Sequence, residues 1–503
     1  VNVTGLLDVS GTSVVLGSGT FNAGTLTFNS SGSVDLTEDS SMLISGASSA
    51  GAGLDLVSAS DVTLAASVTV VGDTNITAGT TVGSIDVNAK LNGSGTILLD
   101  AAEEITIAAS IDPTIVTLNA DDDITVNAAV VASDLITVSA GEDGSGSFVL
   151  GSSGSLETTD SGSDVVVTTG TGSGEITLSG TTTALDQVTM TAASGSINGS
   201  GLVSSSAVDL NAFSGIGDTT IVSLSSSTVT ADTVSGDIDL SNNLSTAVDV
   251  SSLTTGTGSV SFSQTGGGDL STLTVSASGA VALSNAAGSM SLSGTVVGNT
   301  LDATASGSLT DGSDGDFAIA GLAEFTAGSV DLGNDAGNTV NFGSLTFNST
   351  GSVAISEDSS LDLVGTNTAG SADLDSTAGV SDAGATSVDV TGLLDVSGTS
   401  VVLGSGTFNA GTLTFSSSGS VSISEDSSLD LVGTNTAGSV DLDSTADVSD
   451  TGATSVDVTG LLDVSGTSIA FGSGVFNAGT LTFNSSGSVS ISEDSSLDLV
   501  GTN

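Results

Sequence analysis

Repetition limits this chain more than any other feature. The segment VDVTGLLDVSGTSVVLGSGTFNAGTLTFSSSGSVSISEDSSLDLVGTN, from Val388 to Asn435, returns 68 residues later from Val456 to Asn503. The copies differ only at Val401/Ile469, Val402/Ala470, Leu403/Phe471, Thr407/Val475 and Ser416/Asn484, and all but the last are apolar or β-branched exchanges. A third copy precedes them, with Leu345-Thr346-Phe347 lying 68 residues before Leu413-Thr414-Phe415. Three residues are added in its Gly/Asn-rich stretch between Gly333 and Gly343, where a loop tolerates them. A fourth copy opens the chain, from Val1 to about Gly46.

Inside the long repeat runs a shorter beat of alternating apolar and polar residues, bounded by Gly, Ser, Asp or Asn. Ile105/Ile107 and Ile124/Val126 carry it, and so do Ile238/Leu240, Val260/Phe262 and Val281/Leu283. Alternation of this kind is the signature of strands. The abundant Gly (68 residues), Ser, Thr, Val and Asp are poor helix formers, and no apolar stripe of period 3.6 appears. A unit of about 20 residues with two or three short strands is one coil of a solenoid. The expected fold is all-β, a parallel β-helix with coils of about 19–23 residues stacked into an elongated rod. To keep copies in register, a 68-residue repeat is expected to hold three whole coils.

Stacked coils place Val on Val and Leu on Leu in a thin core, which suits small and β-branched residues. Trp and Tyr, whose polar atoms would need buried partners, are absent, whereas Phe408, Phe415, Phe476 and Phe483 are suited to the core. The recurring Phe-Asn-Ala-Gly at Asn22, Asn409 and Asn477 suits a tight corner.

The textures GDIDLSNN, GSGTILLDAAEEITIAA and GSVDLTEDSS make the chain similar to large secreted bacterial β-strand-repeat proteins, especially filamentous-haemagglutinin-like adhesins and autotransporter passengers. That resemblance implies a right-handed parallel β-helix, export to the cell surface, and a role in adhesion or matrix formation. The expected organisation is a repeat copy at 1–46, divergent coils at 47–320, copies at 321–387 and 388–455, and a partial copy at 456–503. The first copy begins inside its motif and the last stops where earlier copies continue Thr-Ala-Gly-Ser, so the chain reads as a window on a longer array.

Charge narrows the chemistry. There are 57 acidic residues and one basic one, Lys90, for a net charge of −56, with no His, Cys, Arg, Tyr or Trp. Histidine general bases, cysteine nucleophiles, arginine clamps and His or Cys metal ligands are therefore excluded. So is nucleic-acid binding, because a polyanion repels phosphate and has no base-stacking side chain. No direct membrane insertion by this segment is expected. Over about 23 coils at roughly 4.8 Å each, the charge amounts to one per roughly 2 Å, close to the figure of about 1.7 Å for duplex DNA. Such a rod gathers cations.

Acidic residues recur at Glu38-Asp39, Glu357-Asp358, Glu425-Asp426 and Glu493-Asp494, and again around Asp441, Asp443, Asp447 and Asp450. Carboxylates in Gly/Ser turns suit hard cations such as Ca²⁺, which makes these the candidate metal ligands. The other reading is a solvated face that keeps strand-rich chains apart. Asp121-Asp122-Asp123 lacks the basic partners of a hydrolase and reads as a polar corner, so no enzyme activity is expected. Thr-x-Thr pairs suit an ice-binding face, but they do not recur on one strand of successive coils, so none is expected. Asn-x-Ser/Thr sequons, as at Asn29, Asn75, Asn198 and Asn484, arise by chance in so Ser/Thr-rich a chain.

A single Lys leaves one site for trypsin-like proteases, and the absence of Cys means no disulfide, both suited to a durable extracellular material. The expected function is a segment of an acidic extracellular fibre, sheath or surface filament that self-associates with divalent cations. The alternative is the stalk of an adhesin whose repeated face or tip binds a partner or glycan.

Overall fold

Each alternating run becomes a short strand with its apolar members turned inward. In Ile105–Ile107 both isoleucines are fully buried and Thr106 is half-exposed, and Ile124–Val126 repeats the pattern one coil on. The two strands pair in parallel, with Ile105 opposite Ile124. Between them lie Ile111–Asp112 and Ile115–Ala120, so one turn of the chain has three strands around a triangular core. This is the expected architecture: the computed structural model, which describes residues 1–503, is an all-β parallel β-solenoid of about 24 turns in all. The only helical element is the short 3₁₀ turn Gly312–Asp314, and no helix is long and apolar enough to cross a membrane.

Two compact units make up the chain, Val1–Gly266 and Gly267–Asn503. In the first, the core is a set of aliphatic columns such as Ile97, Val116, Ile136, Val165 and Val188, every member fully buried. Each such side chain contributes roughly 1.5–3 kcal/mol by leaving water. Phenylalanines join the columns in both units: Phe28 and Phe148 are fully buried in the first, and Phe347, Phe408, Phe415 and Phe476 in the second. Phe342 meets both Phe317 (centroids 5.8 Å apart) and Phe325 (5.5 Å) edge-on. Exchanging Leu403 for Phe471 in the last copy adds a stacked contact with Phe476 at 5.2 Å.

Two expectations are corrected. Some coils are longer than the expected range: Ile124 pairs with Phe148 and Ile136 with Val165, so these turns of the chain take in 124–147 and 136–164. The surplus is taken up in turns at 141–147, 151–154 and 159–163, while the strands on either side keep their register.

The second correction concerns the long repeat. Ser387–Gly398 shifts register between Val390 and Leu393, and Thr407–Ser417 pairs with both Leu429–Leu431 and Thr434–Ala437, so each of these long strands covers two sides of the triangle. Counting them so, ten strand segments separate Ser387–Gly398 from its copy Ser455–Gly466. Ten segments at three per coil are three and a third coils, not three. Successive copies are consequently turned by one side of the triangle. Leu394, for example, stands in one column with Leu413, whereas its copy Leu462 stands in the column of Val401, Val421 and Val440 on the next side. Register survives because all three sides offer the same kind of inward aliphatic position, so a copy needs only a whole number of sides.

Candidate functional site

In the Glu-Asp turns Glu38, Glu357 and Glu425 are turned inward, whereas Asp39, Asp358, Asp426 and Asp494 stay exposed to solvent. The Phe-Asn-Ala segment, expected at a corner, lies in a strand, with Val388, Asp389 and Val390 opposite Phe408, Asn409 and Ala410; above it the next coil leaves the strand ladder to turn, and the backbone amides beneath lose their carbonyl partners. Carboxylates replace them. Phe408 N–H donates to Asp426 Oδ2 at 3.0 Å and Asp426 N–H returns a bond to the Phe408 carbonyl at 2.9 Å. Two residues along, Ala410 N–H donates to both Glu425 oxygens, at 3.2 and 3.3 Å. The same clip recurs in the other copies: Phe21 to Asp39 and Ala23 to Glu38, both 2.9 Å; Val340 to Asp358 at 2.9 Å and Phe342 to Glu357 at 3.0 Å; Phe476 to Asp494 and Ala478 to Glu493, both 3.0 Å.

Each glutamate is further held by the serine two residues on. Ser40, Ser359, Ser427 and Ser495 donate their hydroxyls to Oε1 at 2.8–3.3 Å. Glu38, Glu357 and Glu425 are only 1% exposed. The second oxygen, Oε2, of Glu38, Glu357 and Glu493 is buried without any hydrogen-bond partner. Burial pushes Glu357 and Glu425 up to about 7, against the bonds from Phe342 and Ser359 in one and Ser427 and Ala410 in the other, which favour the charged form. Glu38 is raised by the same cause.

A second clip works in the opposite direction along the chain. Asp382, 6% exposed, accepts the amides of Gly404 (3.0 Å) and Ser405 (3.1 Å) from the next coil, and Asp450 does the same for Gly472 and Ser473 at the same distances. Asp311 takes this place in the preceding copy, binding Gly333 N–H at 2.6 Å and Asn338 Nδ2 at 2.8 Å. A third device is neutral. Fully buried Asn435 accepts from Phe415 N–H at 3.1 Å and donates to the carbonyls of Val432 (2.9 Å) and Ser455 (3.4 Å), and Asn367 repeats these bonds.

The remaining candidates lie outside. Asp441 and Asp443 are outward positions of Ser439–Ser444; Asp441 stands beside Asp463, and Asp443 accepts the Ser465 hydroxyl. Partial burial raises Asp441, with Asp443 and Asp463 adding repulsion. Exposed Asp447 accepts Thr467 Oγ1 at 2.6 Å and Ser468 Oγ at 2.8 Å, and these bonds lower it. In the Asp triplet, Asp123 Oδ1 accepts Ser147 N–H at 2.7 Å, which makes it a corner of the coil.

Four Glu-Asp pairs therefore each bind backbone amides, Asp450 joins a different clip from Asp441 and Asp443, and no group of three or more acidic side chains placed to hold a metal ion is formed. The clips escaped sequence reasoning because a glutamate in so acidic a chain reads as surface. Their signal was the serine two places after each glutamate, together with the Phe-Asn-Ala or Val-Asn-Phe strand segment one coil before it. Comparison with protein-family models, with curated proteins and with solved structures gives no match.

Proposed function

We propose that the chain is a structural segment of a long, acidic extracellular β-solenoid that builds a fibre, sheath or cell-surface filament, and that it has no catalytic role. The observation that carries this reading is the use made of its acidic residues. In every copy of the repeat, carboxylates are spent on joining one coil to the next through backbone amides. Duplicating such a unit adds length and nothing else. The carboxylates left outside give the array a charge that mobile cations screen, which makes lateral association depend on divalent ions. The texture shared with filamentous-haemagglutinin-like proteins agrees with export to the cell surface.

An adhesin stalk is the second reading. Leu393 and Leu461, 38% and 39% exposed at the same point of successive copies, favour it as a repeated apolar contact. Electron microscopy of the purified chain with millimolar Ca²⁺ and then with excess chelator separates the two. Bundles that form with Ca²⁺ and disperse with the chelator are expected for the fibre. Single particles under both conditions, together with retention on a glycan array, would replace it with the adhesin.

A further inference from the structure

One side of the first unit carries an array that fixed-period reading of the sequence does not find. Strands Ile115–Ala120, Leu135–Ala140, Asp164–Thr169 and Gln187–Ala192 lie in four successive coils and pair without a register shift. Their outward positions form two straight columns. One runs Thr117, Thr137, Val166, Thr189, and the other Asn119, Ser139, Thr168, Thr191. Strict Thr-x-Thr occurs once here, at Thr189 and Thr191, but hydroxyl or amide side chains fill all but one of the equivalent places. Ser139 and Thr168 face each other across one of the long coils, which is why a search at the shorter, regular spacing misses the column.

Three properties of this array point the same way. Its polar side chains make no hydrogen bond within the protein, so their donors and acceptors are open to what lies outside. It is uncharged in a chain of net charge −56 and is bounded by charge, with Asp100 and Asp209 in the coils at its two ends and Asp164 on its flank. It is also a lattice: neighbouring strands repeat at about 4.8 Å and alternate residues along a strand at roughly 6.7 Å. Threonine dominates it, and a β-branched side chain has few rotamers to lose when it is fixed.

We propose that this face binds crystalline water. A neutral surface with a regular grid of hydroxyls matches a neutral, regularly hydrogen-bonded solid. The threonine methyls between the hydroxyls leave neighbouring water little choice but to bond to its own kind. A soluble glycan fits less well because the face has no aromatic ring to stack a sugar, and a mineral surface fits less well because the face has no charge.

The test is partition of the full chain, dye-labelled at amines, into a slowly growing ice front. A second measurement is the growth of ice grains in a frozen film. The wild type is expected in the ice several-fold above an acidic non-binding protein of similar size, and to hold grains small. T137Y/T189Y, which roughens the array, is expected to lose both effects with its circular-dichroism spectrum unchanged. T106Y/T125Y, with the same chemistry on outward positions of an adjacent side, is expected to keep both. Exclusion of the wild type from ice overturns the proposal, and so does uptake of T137Y/T189Y equal to that of the wild type. If T137Y/T189Y is misfolded, T137V/T189V replaces it. Those isosteric variants remove hydroxyls alone, and unchanged uptake by them also overturns the proposal.

Discussion

A carboxylate buried against backbone amides is pulled in two directions: the amides favour its charge, and the loss of water opposes it. At Glu357 and Glu425 the loss of water wins, and the pKa stands at about 7 in the fold. Because the folded value lies above the ordinary 4.5, these groups stabilise the fold fully below about 4.5, and that contribution is lost as pH rises through 7. Ordinary carboxylates are ionised well below pH 6, and the chain has no histidine, so the interval from pH 6 to 8 isolates the clips. Wild-type stability, read as a urea midpoint, is expected to fall across that interval. E357Q/E425Q, which keeps the acceptor and cannot ionise, is expected to lose most of the slope and to exceed the wild type at pH 8. An equal slope in both proteins would show that the glutamates are not the titrating groups. The inward apolar residues were legible in the sequence because alternation names them. The inward glutamates were not, since their burial depends on which amides the neighbouring coil leaves bare, and that is a property of two coils at once.

Among the elements, strands were easy to read and corners were hard. Strands such as Ile105–Ile107 and Ile238–Asn242 follow from alternation alone. Corners depend on close approaches between coils. Gly404 has φ of +105°, and a Cβ there would lie 2.3 Å from the Ser424 carbonyl oxygen, while its own amide must reach Asp382. Only glycine meets both demands. Gly404→Ala is expected to cost about 1–3 kcal/mol, read from denaturation at constant m-value. Gly19→Ala, with nothing within 4 Å of the added carbon, is expected to change stability by less than about 1 kcal/mol in either direction. A similar loss at both positions would mean that chain flexibility, rather than contact, sets the effect. Coil length was hidden for a related reason. Turns at 141–147, 151–154 and 159–163 take up the surplus without disturbing the stack, so residue counts between equivalent strands carry little information about register.

For the molecule as a whole, cohesion lies between coils rather than along the chain. Lys90 is exposed in a corner between Ile85–Val87 and Leu91–Gly93, with its carbonyl bonded to Val68 N–H at 3.0 Å. The next strand is held on both sides, since Leu91 pairs with Val68 and with Ile111. Trypsin is expected to cut the native chain there alone. The two fragments should still co-elute on gel filtration and separate only in denaturant; immediate separation would contradict this cohesion. The repeat was fully legible as sequence, and its geometry was not: counting whole coils ignored that a strand can carry the chain around a corner. With three and a third coils per copy, what one copy shows to the east the next shows a third of a turn away, and only every third copy faces east again. An array grown by such copies has no front or back. Contacts between neighbours would be available in three directions, so assemblies of it are expected to thicken into cables rather than spread as ribbons.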